Sequence, residues 1–143
     1  MKWLKLTIIT VALLTSSSVL SKDTQVHCLA KSIHQEAQGE SLKGQQAVGW
    51  VILNRTQSDK FPDSICKVIS QKHQFGYRVM QHIIPEKERT QYLNVASSVI
   101  IAYNRRNDPT YGATYFHEKS IRPRWKNVIR TVRIGNHIFF KSK

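Results

Sequence analysis

The segment His34–Glu40 (H-Q-E-A-Q-G-E) places two carboxylates, Glu36 and Glu40, four residues apart where an apolar helical pattern ends. Gly39 would let the chain turn sharply there, so that Glu36 projects from a rigid helix end into a cleft. Cleavage of a glycosidic bond needs a carboxylic acid that stays protonated near neutral pH and donates to the leaving oxygen. Burial beside aromatic rings can raise the pKa of a glutamate to about 6. The aromatic residues available for such walls are Trp50, Phe75, Tyr77, Tyr111, Tyr115, Phe116 and Trp125. A glutamate at a helix end is more often structural or solvated, so this pattern alone does not establish an active site.

Helical periodicity predicts four helices that would position these carboxylates. The second would be central, because it is apolar around most of its circumference, and Asn54-Arg55 would finish it and bind backbone. The third would be short, with Pro62 in its first turn. The predicted helices run from Asp23 or Thr24 to about Glu36, from Leu42 to Gln57, from Phe61-Pro62-Asp63 onward, and from Glu86 to about Arg105.

The sequence changes character after Asp108-Pro109, in its last quarter. Tyr111–His117 is aromatic and suggests an extended segment, and Thr131–Phe140 alternates around Gly135-Asn136, which predicts a terminal hairpin. Between the third and fourth helices, Gln71–Pro85 lacks periodicity and is predicted to be a functional loop or lid. The chain therefore reads as one α+β domain, mainly helical, with a small C-terminal sheet.

The N-terminus has the features of a secretory signal peptide. Lys2 and Lys5 precede an apolar run of nine residues, and small polar residues follow up to Ser21. We expect residues 1–21 to be the leader and residues 22–143 the exported domain; an uncleaved anchor or a buried first helix is the alternative. In an oxidising compartment Cys28 and Cys66 would form one disulfide, whereas two free buried thiols remain the alternative.

The formal net charge of +13 favours anionic partners such as nucleic acid, membrane surfaces or an acidic cell wall. Charge alone does not choose among them, but an exported protein meets wall and membrane before nucleic acid. The six histidines show no H-E-x-x-H or similar ligand spacing, so no metal site is predicted. No Ser-His-Asp arrangement, cysteine nucleophile or phosphate-binding loop is evident.

One resemblance covers nearly the whole chain after the leader. The run Leu29–Arg55 (L-A-K-S-I-H-Q-E-A-Q-G-E-S-L-K-G-Q-Q-A-V-G-W-V-I-L-N-R) resembles the SleB/CwlJ-like cell-wall hydrolases, a spore-cortex-lytic-enzyme type of catalytic domain. Two positions depart from the family pattern. Ser41 replaces a common proline, which would loosen the turn without removing chemistry. His34 replaces a common aromatic and is expected to be a surface histidine; the alternative is that it changes the pH dependence of the acid. The resemblance continues through Phe61–Ile69, Gln74-Phe75, Asp108–Thr110, Gly112-Ala113, Tyr115–His117, Trp125 and Ile134–Phe139.

The resemblance implies a lysozyme-like, lytic-transglycosylase-like domain that cleaves peptidoglycan glycan strands without a cofactor. Its catalytic acid would be Glu36. Glu40 would be either a second carboxylate for hydrolysis or a helix-cap or salt-bridge residue. Substrate contacts are expected from Gln74, Phe75, Tyr115 and His117.

The implied partners are glycan strands and anionic wall polymer, with no nucleic acid and no stable protein partner. Within this reading the lytic transglycosylase route is favoured over a hydrolytic muramidase. The rivals are a zinc-dependent wall amidase and, from another class, a basic non-catalytic wall-binding module.

Overall fold

The computed structural model describes residues 16–71, 79 and 81–143. It has the predicted fold class, mainly helical α+β with a small C-terminal sheet. No helix among these residues is long and apolar enough to cross a membrane. The predicted boundary between residues 1–21 and 22–143 stays a prediction. The elements are α1 (Ser16–Ala37), α2 (Leu42–Thr56), α3 (Ile65–Ser70), α4 (Glu86–Tyr103), β1 (Tyr115–Glu118), β2 (Val128–Ile134) and β3 (His137–Ser142).

Helix α2 is the central element, as its wide apolar surface predicted. It packs against α1, α3, α4, β1 and β2, and ten of its fifteen residues are buried. Full burial of a side chain such as Val51 or Ile52 stabilises the fold by roughly 1.5–3 kcal/mol. Gly49 lets the helices approach closely, because a Cβ there would lie 3.1 Å from Ile33 Cδ1 and 3.2 Å from Val99 Cγ1.

The turn between α1 and α2 combines two local signals. Gly39 adopts φ +83°, the left-handed conformation that ends α1. Ser41 then caps α2, because its Oγ accepts a hydrogen bond from the Gly44 amide at 3.2 Å. That Ser41 loosens this turn relative to proline stays a prediction, although its hydroxyl satisfies an amide that a proline side chain could not.

The sheet has strand order β1-β3-β2, with both pairs antiparallel. The predicted hairpin is confirmed, with Gly135 at φ +57° in its turn. One face carries Ile134 and Phe139, which pack against Ala47 and Val51 of α2. The other face carries Tyr115 opposite Phe140 and His117 opposite Ile138, since residues paired across strands share a face.

Three predicted boundaries differ from the structure. Helix α1 already includes Ser16, well before Asp23. Helix α3 begins at Ile65 after the N-cap Ser64, so Pro62 precedes the helix rather than lying in its first turn. Strand β1 begins only at Tyr115, because Tyr111 and Gly112 have positive φ and form a turn.

The end of the segment predicted to be a loop contributes to the core. Val79 is fully buried and Ile84 is 6% exposed, and both belong to the cluster formed by the helices. Lack of periodicity hid this role, because two anchoring residues leave no repeating pattern.

The predicted disulfide is confirmed. Cys28 of α1 and Cys66 of α3 are bonded, with their Cα atoms 5.4 Å apart. The bridge closes a loop that contains the end of α1 and all of α2. It therefore covalently encloses the segment that carries Glu36 and Glu40.

Candidate active site

Glu36 lies in the last turn of α1, one residue before the helix ends at Ala37. Its side chain is half-buried, and burial raises the pKa of its carboxyl above the usual value, while the charge of Arg55 partly opposes the rise. None of the residues that the structure describes donates a hydrogen bond to this carboxyl. A carboxylic acid with a raised pKa and free oxygens is the group that proton donation to a leaving oxygen requires.

Arg55 is the cation whose charge acts on Glu36, and the sequence analysis did not assign it to the site. It is only 4% exposed and lies near the end of α2. Its Nε donates to the Thr114 carbonyl at 2.7 Å, as the predicted backbone role required. Burial lowers its pKa to about 10, an effect that nearby Tyr115 and Glu36 partly offset, so it stays charged at neutral pH. The sequence predicted that Arg55 binds backbone but did not predict its electrostatic effect on Glu36.

Two aromatic rings hold the guanidinium of Arg55. Its Cζ lies 5.0 Å from the centre of the Phe61 ring and 5.9 Å from that of Tyr115. The two rings also contact each other edge-on, with centres 6.0 Å apart. Tyr115, a predicted substrate residue, therefore lies beside the residue whose charge acts on Glu36, whereas Phe61 was not assigned to the site.

A polar network fixes the segment that precedes β1. Asn54 Nδ2 donates to the Asp108 carboxylate at 2.8 Å and to the Ala113 carbonyl at 3.0 Å, which confirms its predicted backbone contact. Asp108 also accepts from the amides of Thr110 and Gly112, each at 2.7 Å. These charge-assisted bonds fix the backbone that leads to Thr114, whose carbonyl accepts the hydrogen bond from Arg55.

Glu40 connects the helices to the hairpin. Its Oε2 accepts a hydrogen bond from the Asn136 amide at 3.2 Å, and a Cβ added to Gly135 would collide with the same oxygen. Gln45 Nε2 donates to the Glu40 carbonyl at 3.1 Å. Glu40 is thus held against the β2–β3 turn, and its contacts are those of a structural residue.

His34 is buried, so the expectation of a surface histidine was wrong. It is 3% exposed; its Nδ1 lies 2.6 Å from His82 Nε2 and its Nε2 lies 3.1 Å from Glu88 Oε2. Glu88 can only accept, so Nε2 of His34 carries the proton. The ring also packs edge-on against Tyr92, with centres 4.6 Å apart. His34 therefore joins α1 to α4, and an aromatic residue could fill the same position.

The remaining predicted site residues are placed as follows. His117 lies on the outer face of the sheet, donates from Nδ1 to the Glu118 carbonyl at 2.7 Å and contacts Trp125, with ring centres 5.6 Å apart. Gln74 and Phe75 lie outside the described residues, so their roles stay predictions.

Other aromatic residues considered as walls lie elsewhere. Trp50 packs against Tyr103 of α4, and Tyr111 is 67% exposed beside a cavity that does not include Glu36. Phe116 packs against Phe139 on the core side of the sheet. Among the described residues, no group of three or more His, Cys, Asp or Glu side chains is placed to hold a metal ion.

Comparisons with known proteins agree with this architecture. A family described as Cell Wall Hydrolase matches residues 39–140. A spore cortex-lytic enzyme of Halalkalibacterium halodurans is 34% identical over 125 residues, and one of Bacillus subtilis is 30% identical over 120 residues; each match covers 82% of this chain. The matches cover 34% and 37% of those relatives, so this chain spans about a third of their length.

Two solved structures share the fold. The catalytic domain of the Bacillus cereus SleB protein superposes with a TM-score of 0.68 at 27% identity, covering 83% of this chain and 91% of that domain. The catalytic domain of the germination-specific lytic transglycosylase SleB of Bacillus anthracis gives 0.66 at 28% identity, covering 82% and 93%. The expected lysozyme-like fold is thereby confirmed.

Proposed function

Since this chain belongs to the cell wall hydrolase family, we propose that it cleaves peptidoglycan glycan strands between N-acetylmuramic acid and N-acetylglucosamine. Glu36 is the acid, the reaction is that of a lytic transglycosylase, and the protein acts on the wall after its own export. The observation that carries the proposal is the half-buried carboxyl of Glu36 at the end of α1. Burial raises the pKa of this carboxyl, and the positive charge of Arg55 partly opposes that rise. The similarity to SleB catalytic domains supports the same reading.

The mechanism uses one carboxyl group twice. Protonated Glu36 donates to the glycosidic oxygen, and the bond between that oxygen and C1 of the muramoyl residue breaks. The resulting carboxylate takes the proton from the muramoyl 6-hydroxyl, whose oxygen bonds to C1 and closes a 1,6-anhydro ring. Glu36 is protonated again at the end, and no water is consumed.

The environment of Glu36 suits this double use. A group that donates and then accepts works best when its pKa lies near the operating pH. Burial alone favours the neutral acid, whereas the charge of Arg55 favours the carboxylate that follows proton donation. In the proposed cycle, Arg55 therefore prevents burial from fixing Glu36 in one protonation state.

The contacts of Glu40 favour the one-carboxylate route over hydrolysis. An inverting muramidase needs a second carboxylate about 6.5–9.5 Å from the acid to activate water. Glu40 Oε2 instead accepts from the Asn136 amide and lies against Gly135. Using Glu40 as a base would compete with the bond that holds the hairpin to the helices.

Mass spectrometry of the products from purified peptidoglycan tests the proposal. Transglycosylase chemistry yields 1,6-anhydro-muramoyl ends, a muramidase yields reducing ends, and an amidase yields free stem peptides. We expect anhydro ends, undiminished in the presence of a strong chelator. Reducing ends would replace the proposed route with hydrolysis, and chelator-sensitive release of peptides would favour the zinc amidase. Binding without any product would favour a non-catalytic wall-binding module.

A further inference from the structure

The outer face of the sheet carries a groove that the proposed reaction does not use. The chain that joins β1 to β2 crosses this face, because β3 lies between those two strands. The groove has a volume of about 350 Å³. Its walls are aromatic and aliphatic, its rim is basic, and its lining includes His117, Lys119, Ile121, Arg122, Trp125 and Phe140.

Trp125 forms an exposed aromatic platform in this groove. It is 42% exposed although it contacts three rings: its ring centre lies 5.6 Å from that of Tyr115, 5.6 Å from that of His117 and 5.8 Å from that of Phe140. These contacts fix the ring while leaving part of it open to solvent. A fixed, partly exposed indole is suited to pack against the apolar C–H face of a sugar ring.

The rim of the groove is cationic. From Tyr115 to the C-terminus the sequence has eight Lys and Arg residues and one acidic residue, Glu118. Lys119 and Arg122 are both exposed, and neither forms an ion pair with the described residues. Two unpaired cations beside an aromatic platform are complementary to a sugar that carries carboxylates.

The groove is connected to the candidate acid through Tyr115. The Tyr115 ring contacts Trp125, the guanidinium of Arg55 lies 5.9 Å from the centre of the same ring, and Arg55 acts electrostatically on Glu36. A glycan strand that reaches Glu36 past Tyr115 would bring a neighbouring sugar to Trp125. In peptidoglycan, that strand carries acidic peptides on its muramoyl residues.

We propose that this groove binds a muramoyl residue through its acidic stem peptide, with the sugar on Trp125 and peptide carboxylates at Lys119 and Arg122. The inference rests on the proposed function for its substrate. It adds that the protein distinguishes peptide-bearing from peptide-free glycan.

The test measures binding of a soluble disaccharide, N-acetylglucosaminyl-N-acetylmuramic acid, with and without its stem peptide. This fragment lacks the bond that the proposed reaction cleaves, so the result does not depend on the role of Glu36. The readouts are the dissociation constant and the indole N–H shift of Trp125, assigned with Trp125→Phe. We expect the peptide-bearing form to bind about tenfold more tightly, since two exposed charge contacts contribute about two- to fivefold each.

Matched variants separate local contacts from net charge. Lys119→Gln/Arg122→Gln should remove the preference for the peptide-bearing form, whereas Lys87→Gln/Arg105→Gln, with the same change in charge, should leave it intact. Trp125→Ala should weaken binding of both forms, and Trp125→Phe should restore part of it in a protein that melts as the parent does.

Equal binding of both disaccharides, or equal losses in the two charge variants, would overturn the proposal. If the sugars bind as expected but peptidoglycan yields no glycan cleavage, the proposed function fails and the groove stands. If peptidoglycan is cleaved normally but the disaccharides do not shift the indole N–H signal of Trp125, the groove proposal fails and the proposed function stands.

Discussion

Removal of the Cys28–Cys66 disulfide should lower the free energy of unfolding while leaving the candidate site intact. The bridge joins α1 to α3 across a sequence separation of 38 residues. It acts chiefly by restricting the unfolded chain, which gains entropy when the cross-link is absent. The hydrogen-bond, ring and electrostatic partners described for Glu36 and Arg55 do not include either cysteine. We therefore expect Cys28→Ala/Cys66→Ala to be less stable but active at low temperature.

The loop-entropy relation gives the size of the effect. A closed loop of 38 residues corresponds to about 13 cal/mol/K, or about 4 kcal/mol at 25 °C. For a domain of roughly 120 residues, this is a fall in melting temperature of about 15 °C. Alanine avoids placing a hydroxyl at Cys28, which is only 8% exposed in the helical core. The loss therefore reports mainly the missing cross-link.

Urea unfolding of the oxidised parent, the reduced parent and the double variant provides the assay. The reduced parent and the variant should lose similar free energy, and the slope against urea should rise because their unfolded chains expose more surface. A loss below about 1 kcal/mol in both would refute the loop-entropy reasoning. A loss in the variant alone would assign the effect to packing of the sulfur atoms.

Three further predictions follow from individual contacts. Gly135→Ala should lower the free energy of unfolding by about 1–2 kcal/mol, because the φ of Gly135 is +57° and the new Cβ collides with Glu40. Thermal melting measures this loss. Adding Glu40→Ala to the same chain should recover the part that is due to the collision. Burial lowers the pKa of His82 and His137, so the unfolded chain binds protons more readily and stability should fall as pH drops below about 6.5. Urea midpoints at pH 8 and pH 5 check this. If the midpoint of a His82→Gln/His137→Gln variant falls between these pH values as much as that of the parent, the prediction is contradicted. Glu36→Gln should raise the urea midpoint at pH 7, because the folded chain raises the pKa of Glu36 and so disfavours its charged form. This gain should shrink as pH falls through that raised pKa, and a lower midpoint at pH 7 would mean that attraction to Arg55 outweighs burial.

The sequence was sufficient for elements with strong local patterns. Helix α2 ends within one residue of its predicted end, because its apolar positions repeat over fifteen residues. The Gly135-Asn136 pair predicts the hairpin, since glycine tolerates the left-handed conformation found there. The Glu36 segment was identified by its resemblance to a family rather than by its spacing.

Contacts between distant segments could not be predicted in the same way. His34 is buried because α4 supplies Glu88 and Tyr92, 54 and 58 residues away in the sequence, and no local pattern encodes that pairing. Arg55 reads locally as a helix-ending residue, yet its neighbours Tyr115 and Glu36 come from β1 and α1. The electrostatic setting of the acid thus arises only when three elements pack together.

The central claim is that one carboxyl group, that of Glu36, transfers the proton. The most direct measurement is the initial rate of peptidoglycan solubilisation by Glu36→Gln, compared with Glu40→Gln, in proteins that melt cooperatively. The first should be slower by about 100-fold or more, since general acid catalysis contributes about 10²–10⁴-fold. The second should stay within a few-fold of the parent, because a glutamine oxygen can still accept from the Asn136 amide. A folded Glu36→Gln protein that solubilises peptidoglycan at the parental rate would contradict the account.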